Sequence, residues 1–397
     1  MGLDSSRYAM SNRATMRLAP SMRRLAPSKG LVRPSAIGER PAAAQLPDHA
    51  HVRGLDELRG LSVLWVMLSH GTGLTTWMPT AFAGYGLHGV VLFFLISGYL
   101  ITRILVESKD RTDYFSHFYI NRLFRIWPLM FLALLVSVLI WPAHASSAVY
   151  NLLLVNNYAY AMGIEPPVRT DVMWSLAIEQ QFYLFWPVAV WLFSEKALLL
   201  ITSLIVLIGL GVDGGLLPQG GVKIVHASTL GSMQYLGMGV LVAFGRKGLK
   251  YLLGTWSLFL AWWLTQSAMP VLEFRWVWYG LTFTLALLVY QTIHAKPLLQ
   301  SRYLAFTGER CYGLYLIHFF VSALAFIGIG KGVWMAGTVY FILSFLLAVI
   351  SFKYFERPIR SLRVHFHQNV RLRVGLFAGV GVMILVNVAY LVIKSKA

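Results

Sequence analysis

The sequence predicts an all-α polytopic membrane helical bundle, and three observations predict it. Of 397 residues, 57% are hydrophobic and 13% charged, with a mean hydropathy of +0.63, whereas an ordinary soluble domain carries about a quarter charged residues. The apolar residues fall in blocks long enough to cross a hydrocarbon core, which takes about 20 helical residues at about 1.5 Å rise each. The cations between those blocks sort to alternate sides. Lys and Arg outnumber Asp and Glu by 34 to 16, a net charge of +18. Where that excess lies decides between a nucleic-acid partner and a membrane orientation signal.

Apolar runs bounded by charged residues or Pro and Gly give spans at approximately 57–77, 86–107, 118–141, 174–194, 197–213, 226–244, 250–266, 274–293, 312–330, 333–355 and 374–393. With residue 1 in the cytoplasm, 28 of the 34 basic residues fall on the inner side, leaving Arg169, Lys223, Arg275, Lys331, Lys394 and Lys396 outside. That bias is the one the positive-inside rule demands. The charge therefore reads as orientation and as attraction to anionic lipid headgroups, not as nucleic-acid binding. Segment 148–163 (AVYNLLLVNNYAYAMG) is too polar for a span and is expected to lie at the interface. Residues 1–53 are rich in Arg, Pro, Ala and Ser without an apolar run, the composition of a disordered basic cytoplasmic tail. No secretory apolar region precedes Leu55, so the first span is expected to be an uncleaved insertion signal. The expected organisation is that tail, a membrane domain over 54–360, and a basic loop with one further transmembrane helix over 361–397.

Ionisable groups inside apolar spans cost roughly 2.5 kcal/mol or more each, so each is a candidate for function. The first span places Arg59 near its inner end and His70 toward its outer half. Eleven residues are close to three helical turns, which puts both side chains on one stripe about 16 Å apart. Histidine is the side chain whose ordinary pKa suits a base for a hydroxyl acceptor, although a hydrogen bond between helices is an equal use for a His on an apolar face. In the fourth span Glu179 matches the depth of His70, with Ser175 one turn away. A carboxylate there can fix an imidazole tautomer, act as a base itself, or pair with a packing Arg or Tyr. Ser97 and Gly98 at mid-depth of the second span read as a small pair for close helix approach. Arg122 and Arg125, three residues apart at the cytoplasmic boundary, suit the phosphates of a nucleotide-type donor or lipid headgroups. In the ninth span His318 is placed near the inner leaflet, with Tyr312 and Tyr315 on the same side, as a second site candidate. Glu356 and Arg357 precede Pro358 and read as a structural helix terminus. The single Cys311 excludes an internal disulfide framework and multi-thiolate metal sites, leaving His and carboxylate ligation possible in principle. No metal ligand is assigned.

Taken in order, LDELRGLSVLWVMLSH (55–70), GVVLFFLISGYLI (89–101), FYINRLFRIWP (118–128), MWSLAIEQQFYLFWP (173–187), YGLYLIH (312–318) and FERPIR (355–360) resemble the acyltransferase family 3 membrane proteins, which include O-antigen, peptidoglycan, Nod-factor and macrolide acylases. The resemblance implies a ten-helix domain, here with one additional C-terminal transmembrane helix, in a bacterial inner membrane with the N-terminus cytoplasmic. It implies no permanently bound cofactor, acyl-CoA (usually acetyl-CoA) as co-substrate, and a hydroxyl acceptor on a carbohydrate or lipid-linked glycan, as in polysaccharide or lipopolysaccharide biosynthesis. It places His70 as general base or acyl carrier, Arg59 in support, Arg122 and Arg125 on the donor side, and Glu179 in the site; His318, Ser175 and Tyr315 are further candidates. The family often has a basic residue where Asn121 stands and a Ser where Gly313 stands, so neither position is given a role. Two other classes stay open: a glycolipid transporter or flippase, and a non-catalytic membrane subunit. The absence of matching Gly/Pro-broken spans in two halves argues against the transporter.

Overall fold

The computed structural model describes residues 53–72, 86–214, 228–265, 272–295, 299–329 and 334–396. The proposed tail over 1–53 lies outside the described residues except for Arg53, which begins the first helix. No β-strand occurs among the described residues, and each of the predicted spans falls on a helix. These are α1 (Arg53–Gly71), α2 (Gly86–Glu107), α3 (Tyr114–Ile140), α6 (Met173–Leu192), α7 (Glu195–Gly214), α8 (Thr229–Ala243), α9 (Gly245–Thr265), α10 (Leu272–His294), α12 (Cys311–Ile329), α13 (Trp334–Ser351) and α15 (Val370–Lys396). Between them lie the short α4 (Ala148–Leu152), α5 (Asn156–Ala161) and α11 (Arg302–Glu309), and the amphipathic α14 (Arg357–Gln368). Among the described residues, α2, α3, α7 and the stretch Trp334–Gln368 are long and apolar enough by themselves to cross a membrane.

α2 is the central strut. It packs against α1, α6, α8 and α10, and α1 in turn packs against α11 and α12. The small pair read from the sequence has the expected use: a Cβ on Gly98 would lie 2.0 Å from the Leu236 carbonyl oxygen, and one on Gly239 would lie 2.1 Å from that of Leu95. Backbone therefore meets backbone along the α2–α8 seam, and only glycine fits.

Segment 148–163, expected to lie at the interface, is not one continuous element: it breaks into α4 and α5 around Leu154, whose φ is +60°, and α5 packs against α6. Asn151, Asn156 and Asn157 are buried, and Asn157 is bonded to Thr229 (3.1 Å) and Gln181 (3.0 Å). Of the polar residues that disqualified this segment as a span, Asn157 is satisfied inside the bundle, whereas the Asn151 amide is buried without a hydrogen-bond partner. Nor does Pro358 stop the chain's helical course. The α-helix ends at Ser351, a π turn spans Phe352–Glu356, and Pro358 sits in the first turn of α14, where its missing N–H has no intrahelical partner to lose. Glu356 is buried and holds Arg360 at 2.5 Å.

Candidate functional site

Six of the eight sequence-named residues line one cavity of about 100 Å³: Arg59 from α1, Arg122 and Arg125 from α3, Ser175 and Glu179 from α6, and Tyr315 from α12. Arg59 is fixed by its neighbour one turn back, donating from Nη1 to Asp56 Oδ1 at 2.6 Å. Arg122 and Arg125 have no carboxylate within ion-pair distance among the described residues. Arg122 instead lies over the rings of Phe118 and Tyr183, 5.7 Å from each centroid, and its Nε is buried without a hydrogen-bond partner. Arg122 is thus a cation held on aromatic faces with one buried N–H unused.

Across the cavity, Glu179 Oε1 accepts from both Ser97 Oγ and Tyr183 Oη. Ser97, read from the sequence as a packing residue first, is also part of the cavity wall. Ser175 Oγ and Tyr315 Oη are 2.6 Å apart, and Tyr315 also donates to the Val172 carbonyl at 2.9 Å. Cys311, Tyr312, Phe93 and Phe94 are also among the lining residues.

His70 and His318 do not line this cavity. They form a pair beyond it: His70 Nδ1 and His318 Nε2 are 2.9 Å apart, with nearly parallel rings. The sequence reading set His318 near the inner leaflet, away from His70. The structure brings them together because α12 runs beside α1, and seven residues carry His318 about 10 Å beyond Cys311. His318 is fully buried, whereas the His70 ring is exposed. His318 Nδ1 faces the Leu314 carbonyl at 3.0 Å. A carbonyl only accepts, so that nitrogen carries the proton. In the neutral pair His318 Nε2 then accepts from His70 Nδ1–H, leaving His70 Nε2 as a free lone pair at the exposed edge.

Glu179 does not orient His70, as its matching depth suggested. Equal depth fixes nothing about lateral position, and α2 packs against both α1 and α6, presenting Ser97 to Glu179. The link between cavity and histidine pair is Tyr315, whose ring lies 5.9 Å from that of His318. One residue that sequence reasoning left among the outside cations also belongs here. Arg169, with φ of +65°, lies 5.8 Å from the Phe319 ring, and Phe319 meets His70 edge-on at 5.0 Å. Left-handed backbone at a non-Gly residue is a signal only coordinates reveal.

Residues 52–353 match the family model described as an acyltransferase domain (acyltransferase 3). A Bacillus subtilis protein named "Putative peptidoglycan O-acetyltransferase YrhL" is 28% identical over 360 residues, covering 79% of this chain and 55% of its own length. A Staphylococcus aureus (strain COL) protein named "Putative O-acetyltransferase SACOL0978" is 28% identical over 360 residues, 78% of this chain and 58% of its own. The peptidoglycan O-acetyltransferase OatA of Listeria monocytogenes is 31% identical over 186 residues, 41% of this chain and 28% of its own. The chain thus spans roughly half the length of the first two of these curated relatives. No solved structure matches it.

Proposed function

The chain belongs to the acyltransferase 3 family, and from that premise we propose that it transfers an acyl group, in the first instance acetyl, from acyl-CoA to a hydroxyl of a carbohydrate or lipid-linked glycan. The observation that carries this reading is one cavity gathering three guanidiniums, two of them without a carboxylate in ion-pair distance among the described residues, beside a histidine pair that leaves one ring nitrogen free. Arg122 and Arg125 receive the donor phosphates, since guanidinium binds phosphate in a bidentate, charge-assisted fork. Arg59 supports that end, which the positive-inside bias assigns to the cytoplasm. The thioester arm runs past Ser97 and Glu179 toward Ser175 and Tyr315. It must span much of the roughly 16 Å of helix rise between Arg59 and His70.

His70 Nε2 takes the proton of the acceptor hydroxyl as that oxygen attacks the thioester carbonyl. The C–O bond forms, the C–S bond breaks, and the departing CoA thiolate is protonated, returning His70 to its neutral form. In the alternative course His70 Nε2 is itself acylated and hands the group on in a second step. His318 holds the tautomer that both courses need. The names of the relatives point to peptidoglycan as one acceptor; other surface polysaccharides offer the same hydroxyl chemistry.

The test is CoA release from acetyl-CoA by purified protein in nanodiscs supplied with glycan acceptor. His70→Ala and His70→Gln are expected to lower release by about 100-fold or more, the contribution of a positioned base. Unchanged release in both variants would overturn the assignment. Movement of intact glycolipid without CoA release would favour the transporter instead.

A further inference from the structure

A second cluster of chemistry-bearing residues lies outside the cavity, where the start of α3 meets the end of α14. Asp113 immediately precedes α3, His117 follows one turn later, and His367 belongs to the last turn of α14. One ligand atom from each lies within 4.8 Å of the other two. The imidazoles of His117 and His367 are 4.9 Å apart and tilted by 32°. Asn121, one turn beyond His117, bridges them: its side chain is 3.1 Å from His117 Nε2 and 3.3 Å from His367 Nε2. With Asn121 Oδ1 accepting from His367 Nε2–H, the other nitrogen of that ring, Nδ1, is a bare lone pair, and it is buried without a partner.

We propose that Asp113, His117 and His367 form a binding site for a transition-metal dication of the Zn²⁺ class. Two imidazoles and one carboxylate are a borderline donor set that suits Zn²⁺ or Co²⁺ and gives too few oxygens for Ca²⁺ or Mg²⁺. Ligands about 2.1 Å from a tetrahedral ion lie about 3.4 Å from one another, so closing on a metal takes side-chain shifts of an ångström or so. Asn121 is the outer partner such a site needs on His367, where its Oδ1 accepts Nε2–H and frees Nδ1 for the ion; its Nδ2 faces His117 Nε2, so that ring offers Nδ1 to the metal once the amide turns to present Oδ1 there as well.

The surroundings set the strength. Arg111 grips both oxygens of Asp113 at 2.9 and 3.1 Å, Arg373 reaches Ser116 at 3.3 Å, and Arg363 lies on α14. Three guanidiniums around the cluster, one of them on its carboxylate, oppose a dication, so the site is weaker than a closed structural zinc site, with the fourth position open to water. Bound metal would staple α14 to α3. His117, Asn121 and Arg125 recur every four residues on α3, which puts the staple two turns from a cavity arginine.

The experiment is Zn²⁺ titration by calorimetry, with Co²⁺ absorption as a second probe, on the tag-free full chain in nanodiscs. One saturable equivalent is expected, with affinity reduced at least tenfold in His117→Ala and in His367→Ala and unchanged in His365→Ala, the exposed neighbour on α14. Asn121→Lys keeps every ligand but places a cation between the rings, and is expected to abolish binding even if an alanine variant folds poorly. Absence of saturable binding in the wild type, or equal binding in His117→Ala, His367→Ala and Asn121→Lys, would overturn the site. The readout is independent of acyl transfer.

Discussion

The two faces of α2 are built on opposite rules. Toward α8 it is closed: Gly98 and Gly239 let the helices approach until carbonyl oxygens stand where a methyl group would be. Toward α3, α6 and α12 it is held open by Phe93, Phe94, Leu100 and Ile101, with Ser97 bonded to Glu179 and two guanidiniums left without carboxylate partners. Both faces are apolar in sequence. The closed face spends its contacts on packing, which association within a membrane relies on. The open face keeps polar groups incompletely satisfied at a stability cost, which is tolerable where a ligand completes them.

The sharpest way to break the comparison is Gly98→Ala. A Cβ at 2.0 Å from the Leu236 oxygen meets backbone and cannot be absorbed by a rotamer change. The expected loss is about 3 kcal/mol or more, the upper end for overpacking, read as a fall in thermal midpoint and in recovered folded protein. If Gly98→Ala keeps wild-type stability, the seam is looser than described. Next in size is Arg122→Ala on the open face. Losing a charge-assisted phosphate contact costs about 1.5–3 kcal/mol, so the KM for acetyl-CoA is expected to rise 10- to 100-fold while stability holds, since Arg122 has no internal carboxylate partner to strand. Cys311, the chain's sole thiol, lines the same cavity. Its modification by a small methanethiosulfonate is expected to slow when desulfo-CoA, which has no thiol to consume the reagent, is present, and that protection is expected to fade in the variant. Protection that persists unchanged would place the donor phosphates elsewhere.

The helices, their order and most of the cavity were legible because each rests on local patterns. Apolar blocks mark spans, and an Arg pair three apart stays a pair in any helix. Arg59 and Arg125 were findable from α1 and α3 alone. What escaped depends on contacts between distant segments. His318 lies 248 residues from His70, and no periodicity tells which neighbour α12 will take. Of the three uses left open for Glu179, pairing with a Tyr is the one that forms; its place beside His70 failed because depth along the membrane is readable from a span whereas azimuth around the bundle is not. Ser97 looked like packing because Gly98 beside it is packing. The pairing of His117 with His367 needed α14, and the reading of Pro358 as a terminus hid that helix.

The smallest expected effect tests the histidine pair, where the open face ends. His318 touches neither donor nor acceptor in the proposed reaction; it acts through His70 by accepting Nδ1–H and so keeping Nε2 free. Removing that acceptor with His318→Leu leaves His70 present but free to take the other tautomer and to turn its ring. A positioning role therefore predicts a fall in kcat of about tenfold with the KM for acetyl-CoA unchanged, smaller than the loss from His70→Ala, because the base survives and only its population in the productive form drops. His318→Gln supplies the decisive contrast. Its amide oxygen reaches the position of the lost Nε2 and can accept from His70 Nδ1–H, so most of the rate is expected to return. Equal losses in Leu and Gln variants, accompanied by lower thermal stability in both, would make His318 a packing residue of α12 and leave His70 to be oriented by something else.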